Sequence, residues 1–491
     1  MAETTKKNKK PDFHILACLI QIWDASGSEN MIDEPDSPMM IAEVEDIEIE
    51  DSYKNLFKTA KVKFPRGTVI RKTITEINLE DNSKTVSATV EDGGVVVTTR
   101  VNTSKATVAN FKIGQRIRIR LGYITDPTIA ALAKTNSTGK TIYNDKSTLK
   151  KYQEAMVPKN GNAILFDGYI VKCSIDEPIE IKCEDLASHL KKISCKKIVP
   201  TKDLTVNDLL AEDGKYKLLE KSGLKLHPKT KSCEINIGKT VIQDNLTVAD
   251  VLTTWAKKAR LFSFVVPDKN GNPCLAVGRS YFSNIGDDSI LKLKEEGSSV
   301  PDILFDYHVS NNGLTIMDVD KAFLAVDAMS WENIEGSKGK QYHITVRKNP
   351  DYDPAKGGDK YQILNETTIS KKAMKAGATV LGKSKDKVDL STYTIVPYAS
   401  SKIGISHEDL QVEAIKYFES YNSNGIEGTL EIFGDFGLKS GTKVHLTDNR
   451  YPEKNGYYLV DEITTRFGVD GYRQTLKMPY CISRDKETNN E

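Results

Sequence analysis

The chain has 491 residues, room for about three domains of ordinary size. Its 69 Lys+Arg and 68 Asp+Glu leave a net charge of +1, which excludes a global basic field for nucleic acid and an acidic tail. Seven cysteines, at 18, 173, 183, 195, 233, 274 and 481, form no C-x-x-C pair. That speaks against a zinc ribbon or thioredoxin-like motif and fits assembly in a reducing cytoplasm.

The chain opens on KKNKKPDFHILACLIQIWDASGS. Lys6, Lys7, Lys9 and Lys10 precede an apolar run from Phe13 to Trp23, superficially the order of a secretion signal. Gln21 interrupts the run and no small-x-small cleavage site follows, so the segment reads as a disordered basic tail, residues 1–12, before a buried strand. No apolar run is long enough to span a bilayer, and no stable membrane association is expected. After a polar loop, MMIAEVEDIEIEDSYKNLFKTAKVKFPR gives two strands around a Ser-Tyr-Lys-Asn turn. Ile47 and Ile49 alternate with Glu48 and Glu50, and Val62 and Phe64 with Lys61 and Lys63, the period of half-buried strands. VSATVEDGGVVVTTRV continues in that style.

In FKIGQRIRIRLGY, residues 111–123, Gly114 marks a turn. Ile117, Ile119 and Leu121 face one way and Arg116, Arg118 and Arg120 the other. After an excursion over 124–162, with a helix expected near TLKKYQEAM, the chain returns as AILFDGYIVKCSIDEPIEIKCED, bending at Asp176-Glu177-Pro178. The same pattern recurs near the end, in GTLEIFGDFGLKSGTKVHLTDNRYPEKNGYYLVDEITTRFGVDGYRQTLKM. Gly114 corresponds to Gly441, Ile117 and Ile119 to Val444 and Leu446, Gly168 to Gly456, and IEIKCED loosely to YRQTLKM. The pattern suggests an internal duplication.

Between the copies, LTVNDLLAE and LTVADVLTTWAKKA each open on Thr with Asp three residues later, a capping-box-like helix start. LFSFVVPDKNGNPCLAVGR follows as a hairpin turning at Asn270-Gly271. Residues 187–300 therefore read as a small α/β domain. From 301 the chain is β again, with Asn312-Gly313 as a tight turn. Residues 332–405 are polar and broken. SHEDLQVEAIKYFESYNSNG is a helix whose stripe is Leu410, Ala414 and Phe418.

Catalytic chemistry is not found. Gly139-Lys140-Thr141 and Gly238-Lys239-Thr240 lack the upstream glycine of a phosphate loop, since Lys134 and Cys233 stand there. His407-Glu408 has no second His one turn on, Asp318 and Asp320 lack the rest of a calcium loop, and no Gly-x-Ser-x-Gly elbow is present. No catalytic residue, cofactor or metal is expected. The one charge pattern kept is Arg116, Arg118 and Arg120. It is either a solvated strand face or a polar surface that meets a neighbouring subunit or lines a channel, because three buried arginines need acids, water or phosphate.

Taken together, IEDSYKNLFKTAKVKFPR, ILFDGYIVKCSIDEPIEIKCED, ILFDYHVSNNGLTIMDVD and the helix followed by GTLEIFGDFGLKSGTKVHL resemble the baseplate hub proteins of tailed bacteriophages, relatives of the amino-terminal part of type VI secretion spike proteins. The resemblance covers about residues 13–481. It implies a mixed, β-rich α+β fold with two tube-type β-barrels separated by a small α/β domain. The first barrel would span 13–186 with its excursion at 124–162, and the small domain 187–300. The second barrel would combine 301–345 and 426–481, with 346–425 inserted and 482–491 as a tail. It further implies a non-enzymatic homotrimer in a virion tail, joining a hexameric tail tube or distal tail protein to a trimeric spike or tail-tip protein, with DNA passing through its lumen. Any spike or wall-degrading enzyme would then be a separate chain. The alternatives are a tail-associated cell-wall hydrolase and a carbohydrate-binding tail-tip protein.

Overall fold

The computed structural model describes residues 14–23, 38–74, 90–91, 94–95, 100–105, 110–134, 141–143, 145–158, 163–238, 241–259, 261–268, 272–279, 300–316, 324–332, 340–351, 359–370, 393–399, 407–420, 426–478 and 480–485. The basic tail at 1–12, the carboxylates Asp318 and Asp320, and most of the 371–405 stretch lie outside them.

The amino-terminal part is a run of antiparallel strands: β1 (Ile15–Trp23), β2 (Met39–Ile41), β3 (Asp46–Ser52), β4 (Thr59–Lys63), β5 (Val69–Ile74), β6 (Arg100–Lys105), β7 (Arg116–Ile124), β8 (Ile164–Cys173) and β9 (Glu180–Asp185). Alternation sets their faces. Ile47 and Ile49 of β3, Val62 of β4, and Ile117, Ile119 and Leu121 of β7 enter one core, while the intervening Glu and Lys residues of β3 and β4 turn outward. β1 does not alternate because it is buried on both faces. Cys18, Ile20 and Ile22 enter that core, whereas Ala17 and Leu19 pack under the 124–162 excursion, with Tyr143, Tyr152 and Met156. This second covering explains the apolar run, broken by Gln21, that superficially has the order of a signal sequence. The excursion carries α1 (Lys146–Ala155), started by the Asp145 carboxylate accepting from the Thr148 amide.

The small domain follows. α2 (Val206–Leu210) opens on a capping box between Thr205 and Asp208, and α3 (Val248–Ala259) on the matching bonds between Thr247 and Asp250. Leu209, Leu252 and Trp255 pack against Leu275 and Val277 of the hairpin β10 (Leu261–Pro267) and β11 (Pro273–Arg279). The turn between these strands, Asn270-Gly271, lies outside the described residues.

Next come β12 (Asp302–Leu304) and β13 (Val309–Asn312). Asn312-Gly313 is not a hairpin turn: β13 pairs with residues 430–433 and the following 315–316 segment with 426–427. Four strands then form their own sheet, in the order β16-β15-β14-β17, from β14 (Leu324–Glu332), β15 (Lys340–Lys348), β16 (Tyr361–Ser370) and β17 (Thr394–Ala399). α4 (His407–Ser420) lays Leu410, Ala414 and Phe418 on Val326, Ala328, Ile344 and Val346. The β14–β15 hairpin, expected within the second barrel, therefore belongs to this inserted unit. Its apolar face is completed by the helix stripe. The chain ends with β18 (Leu430–Phe433), β19 (Lys443–Thr447), β20 (Gly456–Leu459), β21 (Glu462–Gly468), β22 (Gly471–Lys477) and β23 (Tyr480–Arg484).

One 13-stranded sheet runs through both ends of the chain, in the order β13-β18-β22-β21-β3-β4-β9-β8-β7-β1-β2-β5-β6. β20 continues into β21 through Val460-Asp461, and β22 into β23, so the last four strands are one long hairpin bent in the middle. Its lower half pairs with β19 and its upper half with β3. Laid side by side, the amino-terminal order β3-β4-β9-β8-β7 matches β13-β18-(β22/β23)-(β21/β20)-β19 in both space and chain order.

The marker glycines match as well. The Gly114 amide donates to Ile170 O (2.8 Å) and the Ile170 amide to Gln115 O (2.9 Å); Gly441 donates to Val460 O (2.7 Å) and Val460 to Thr442 O (2.9 Å). Both glycines have positive φ, +92° and +75°, where a side chain is strained. Ile170 thus corresponds to Val460, so the expected pairing of Gly168 with Gly456 is displaced by two residues. A shift of two keeps every side chain on its face. Outside these five strands the halves differ: β1 is antiparallel to β7, but β12 is parallel to β19.

The β3–β21 join is fixed by side chains. The Asp51 carboxylate accepts from the Ser440 hydroxyl (2.6 Å) and from Lys58 Nζ (2.9 Å), Lys54 Nζ donates to Asp461 (2.7 Å), and Arg466 Nε donates to Glu48 (3.1 Å). Ser440 is fully buried. Asp51→Ala removes its acceptor and should lower unfolding stability by about 2–3 kcal/mol, read as a lower urea midpoint. Glu48→Ala, on the exposed rim of the same join, should change it by less than about 1 kcal/mol.

Candidate functional site

The arginine row is the charged cluster that the sequence singled out, and the structure brings its members together. β7 lies between β1 and β8, with Arg116 opposite Trp23 and Tyr169, Arg118 opposite Gln21 and Asp167, and Arg120 opposite Leu19 and Ile164. Arg116 grips Asp167 with two parallel bonds, Nε to Oδ1 (3.0 Å) and Nη2 to Oδ2 (2.9 Å). Arg118 donates to Oδ2 from Nε (3.0 Å) and Nη2 (2.7 Å), and Arg120 donates to the Gln21 side-chain oxygen. Both the Arg116 and Arg118 guanidiniums lie 5.6 Å from the centre of the Trp23 ring, within range of a cation–π attraction.

The side chains of Arg116 and Arg118 are 6% and 14% exposed. This is not a solvated strand face: the guanidiniums are shared with an acid and an indole of the same chain. Sequence reasoning missed Asp167, Trp23 and Gln21 as partners. The irregularity in the β7–β8 ladder falls between Ile164 and Phe166, and Asp167 lies beyond it, in regular register with Arg118.

A second feature lies at the seam between the two halves. A cavity of about 330 Å³ is lined by His14, Leu16, Tyr123, Phe433, Asp435, Gly471 and Arg473. The Tyr123 hydroxyl donates to Tyr472 O (3.1 Å), and the Arg473 guanidinium sits 4.3 Å from the Phe433 ring centre. Burial raises the Tyr123 and Tyr472 phenols above their usual range. The lining offers aromatic contact and one charge of each sign, and no nucleophile paired with a base.

The third is a clamp on β19. One ring nitrogen of His445, Nδ1, bonds Asp302 (2.9 Å) and the other, Nε2, bonds Asp485 (3.0 Å), tying β12 and the end of β23 to β19. Partial burial opposes charge on this imidazole, but the bonds and charges of Asp302 and Asp485 outweigh it and hold its pKa above the ordinary histidine value. His407, expected to decorate a helix start, does so while bonding Glu366 of β16. Among the described residues no group of three or more His, Cys, Asp or Glu is placed to hold a metal ion, and no helix is long and apolar enough to cross a membrane.

No protein-family model matches the sequence, and no curated protein matches it. Solved structures are similar over almost the whole chain at low identity. The 43 kDa tail protein of prophage MuSo2 from Shewanella oneidensis is 10% identical with a TM-score of 0.43, covering 96% of this chain and 99% of its own. A tail protein from Neisseria meningitidis is 12% identical with a TM-score of 0.43, covering 95% and 98%. The Francisella PdpA–VgrG complex is 10% identical with a TM-score of 0.41, covering 96% of this chain and 54% of that one.

Two measurements test the polar clusters. Asp167→Ala takes a shared acceptor from two largely buried guanidiniums and should cost about 2–3 kcal/mol in urea unfolding; Asp167→Asn, which keeps an acceptor oxygen, should cost less. Because the folded state raises the His445 pKa, the clamp's contribution is fully present below the unfolded value, near 6.5, and is lost as pH rises through the folded value. The stability gap between the wild type and His445→Gln should therefore be widest at acid pH and shrink toward alkaline pH.

Proposed function

We propose that the chain is a structural, non-enzymatic hub of a phage tail or related injection device. It assembles as a homotrimer that joins a hexameric tail tube or distal tail protein to a trimeric spike or tail-tip protein, with DNA or effectors passing through its lumen in the virion tail. The observation that carries this reading is the repeated strand order: β3-β4-β9-β8-β7 and its match at the carboxyl end lie within one chain and are joined where β21 pairs with β3. Two like units per chain give six per trimer. In this reading each unit is a tube-type barrel, and the shared core of Leu430, Ile432, Val444 and Leu446 supports the second.

Three such chains form a ring that is sixfold to one neighbour and threefold to another. Its interfaces are heterologous and close on themselves rather than growing into a filament. The chemistry of such a hub is packing and exclusion of water. In this reading the row at Arg116, Arg118 and Arg120 borders the lumen or an inter-subunit contact, with Arg116 and Arg118 held by Asp167 and Arg120 by Gln21. Light scattering on the purified protein should give about 164 kDa, three times the chain mass of 54.6 kDa, with ring-shaped particles in negative stain. A stable monomer at high protein concentration would overturn the reading.

A further inference from the structure

The two repeated hairpins end in the same way. The β8–β9 turn presents Ile175 followed by Asp176 and Glu177, and the β21–β22 turn presents Val469 followed by Asp470. Ile175 is 86% exposed and Val469 89% exposed, the most exposed of the large hydrophobic residues described. Asp176, Glu177 and Asp470 are exposed beside them. An aliphatic side chain this bare gains nothing for the fold of a single chain, and the same arrangement occurs at both equivalent turns.

Strand register places both tips at one end of the large sheet. Gly468 of β21 is opposite Asp46 of β3, Asp46 is opposite Lys63 of β4, and Lys63 is opposite Glu180 of β9. The Ser174 amide, at the start of the β8–β9 turn, donates to Glu180 O (2.8 Å). Four strand steps separate the two tips, a distance of about 19 Å or less along a curved sheet. Ile113, 71% exposed on the turn before β7, stands at this end too, because Gly114 bonds Ile170 there. Exposed Lys112 and Lys172 flank the β8–β9 tip.

We infer that the Ile175 and Val469 hairpin tips are paired plugs that seat in repeating apolar sockets rimmed by Lys or Arg on the hexameric ring that the hub stacks on. This rests on the hub reading and adds to it the end of the molecule, the residues and the partner's chemistry. Two equivalent tips per chain make six per trimer, which fits a sixfold partner rather than a threefold one. The acidic residues at each tip select a basic rim and oppose tip-to-tip contact between copies of this chain. Adjacent corners of a regular hexagon are one radius apart, so the sockets lie on a circle of radius about 19 Å or less.

The test uses the full chain and, as probe, the purified ring of the tail-tube protein encoded with it, with co-sedimentation for affinity and light scattering for mass. Ile175→Asp and Val469→Asp should each weaken ring binding about tenfold or more while the hub's mass and thermal melting stay unchanged. Asp176→Lys combined with Asp470→Lys should weaken it similarly, and raised salt should shrink that second effect. Undiminished binding by the tip variants, or loss from one tip alone, overturns the inference and leaves the hub reading standing, whereas a wild-type trimer that does not bind the ring overturns the inference and counts against the hub reading as well. A wild-type chain that remains monomeric overturns the hub reading and this inference with it.

Discussion

The architecture depends on one antiparallel contact, seven residue pairs between β3 and β21. β3 is the outermost strand of the amino-terminal unit, and unpaired it would offer a row of amide and carbonyl groups to any passing chain. β21 covers that edge. To do so, the terminal hairpin bends at Val460-Asp461, leaving β20 and β23 on the β19 side while β21 pairs with β3 and β22 with β18. The polar pairs at the join, Asp51 with Ser440 and Lys54 with Asp461, sit where the bend brings the two units together. They specify one register, because a slip of a single residue would put charged groups into the core.

That contact also explains the layout of the cores. The first core includes Phe467 and Tyr472 from the far end of the chain, alongside Ile47, Ile117 and Phe166. Tyr123 and Tyr472 meet at 5.6 Å between ring centres, and the cavity at the seam opens beside them. The units are therefore one packed body at this seam. The inserted sheet β14–β17 and α4 has a separate core.

Much of this was legible from alternation. Ile47, Ile49, Val62, Ile117 and Ile119 are buried where their period placed them, and Thr205 and Thr247 cap helices with Asp208 and Asp250 as their spacing predicts. The duplication was visible through Gly114 and Gly441, but its alignment was two residues out. A period-two pattern cannot distinguish registers that differ by two; the hydrogen bonds to Ile170 and Val460 can. The β14–β15 hairpin lies in other company than its sequence suggests because a strand's sequence shows that one face is apolar, not what covers it. The arginine row was legible as a face, but its partners were not. Asp167 follows Arg118 by 49 positions and meets it only through strand pairing, so nothing local marks the acid.

The bent hairpin bears on biosynthesis. A ribosome releases β3 some four hundred residues before β21 exists, so its edge stays open through most of translation. Pairing over such a sequence separation is slow, because a long loop must close before any contact forms. The nascent chain is thus a sticky intermediate until β21 emerges, and shielding by a chaperone, or slow growth at low temperature, should govern how much protein reaches the finished state.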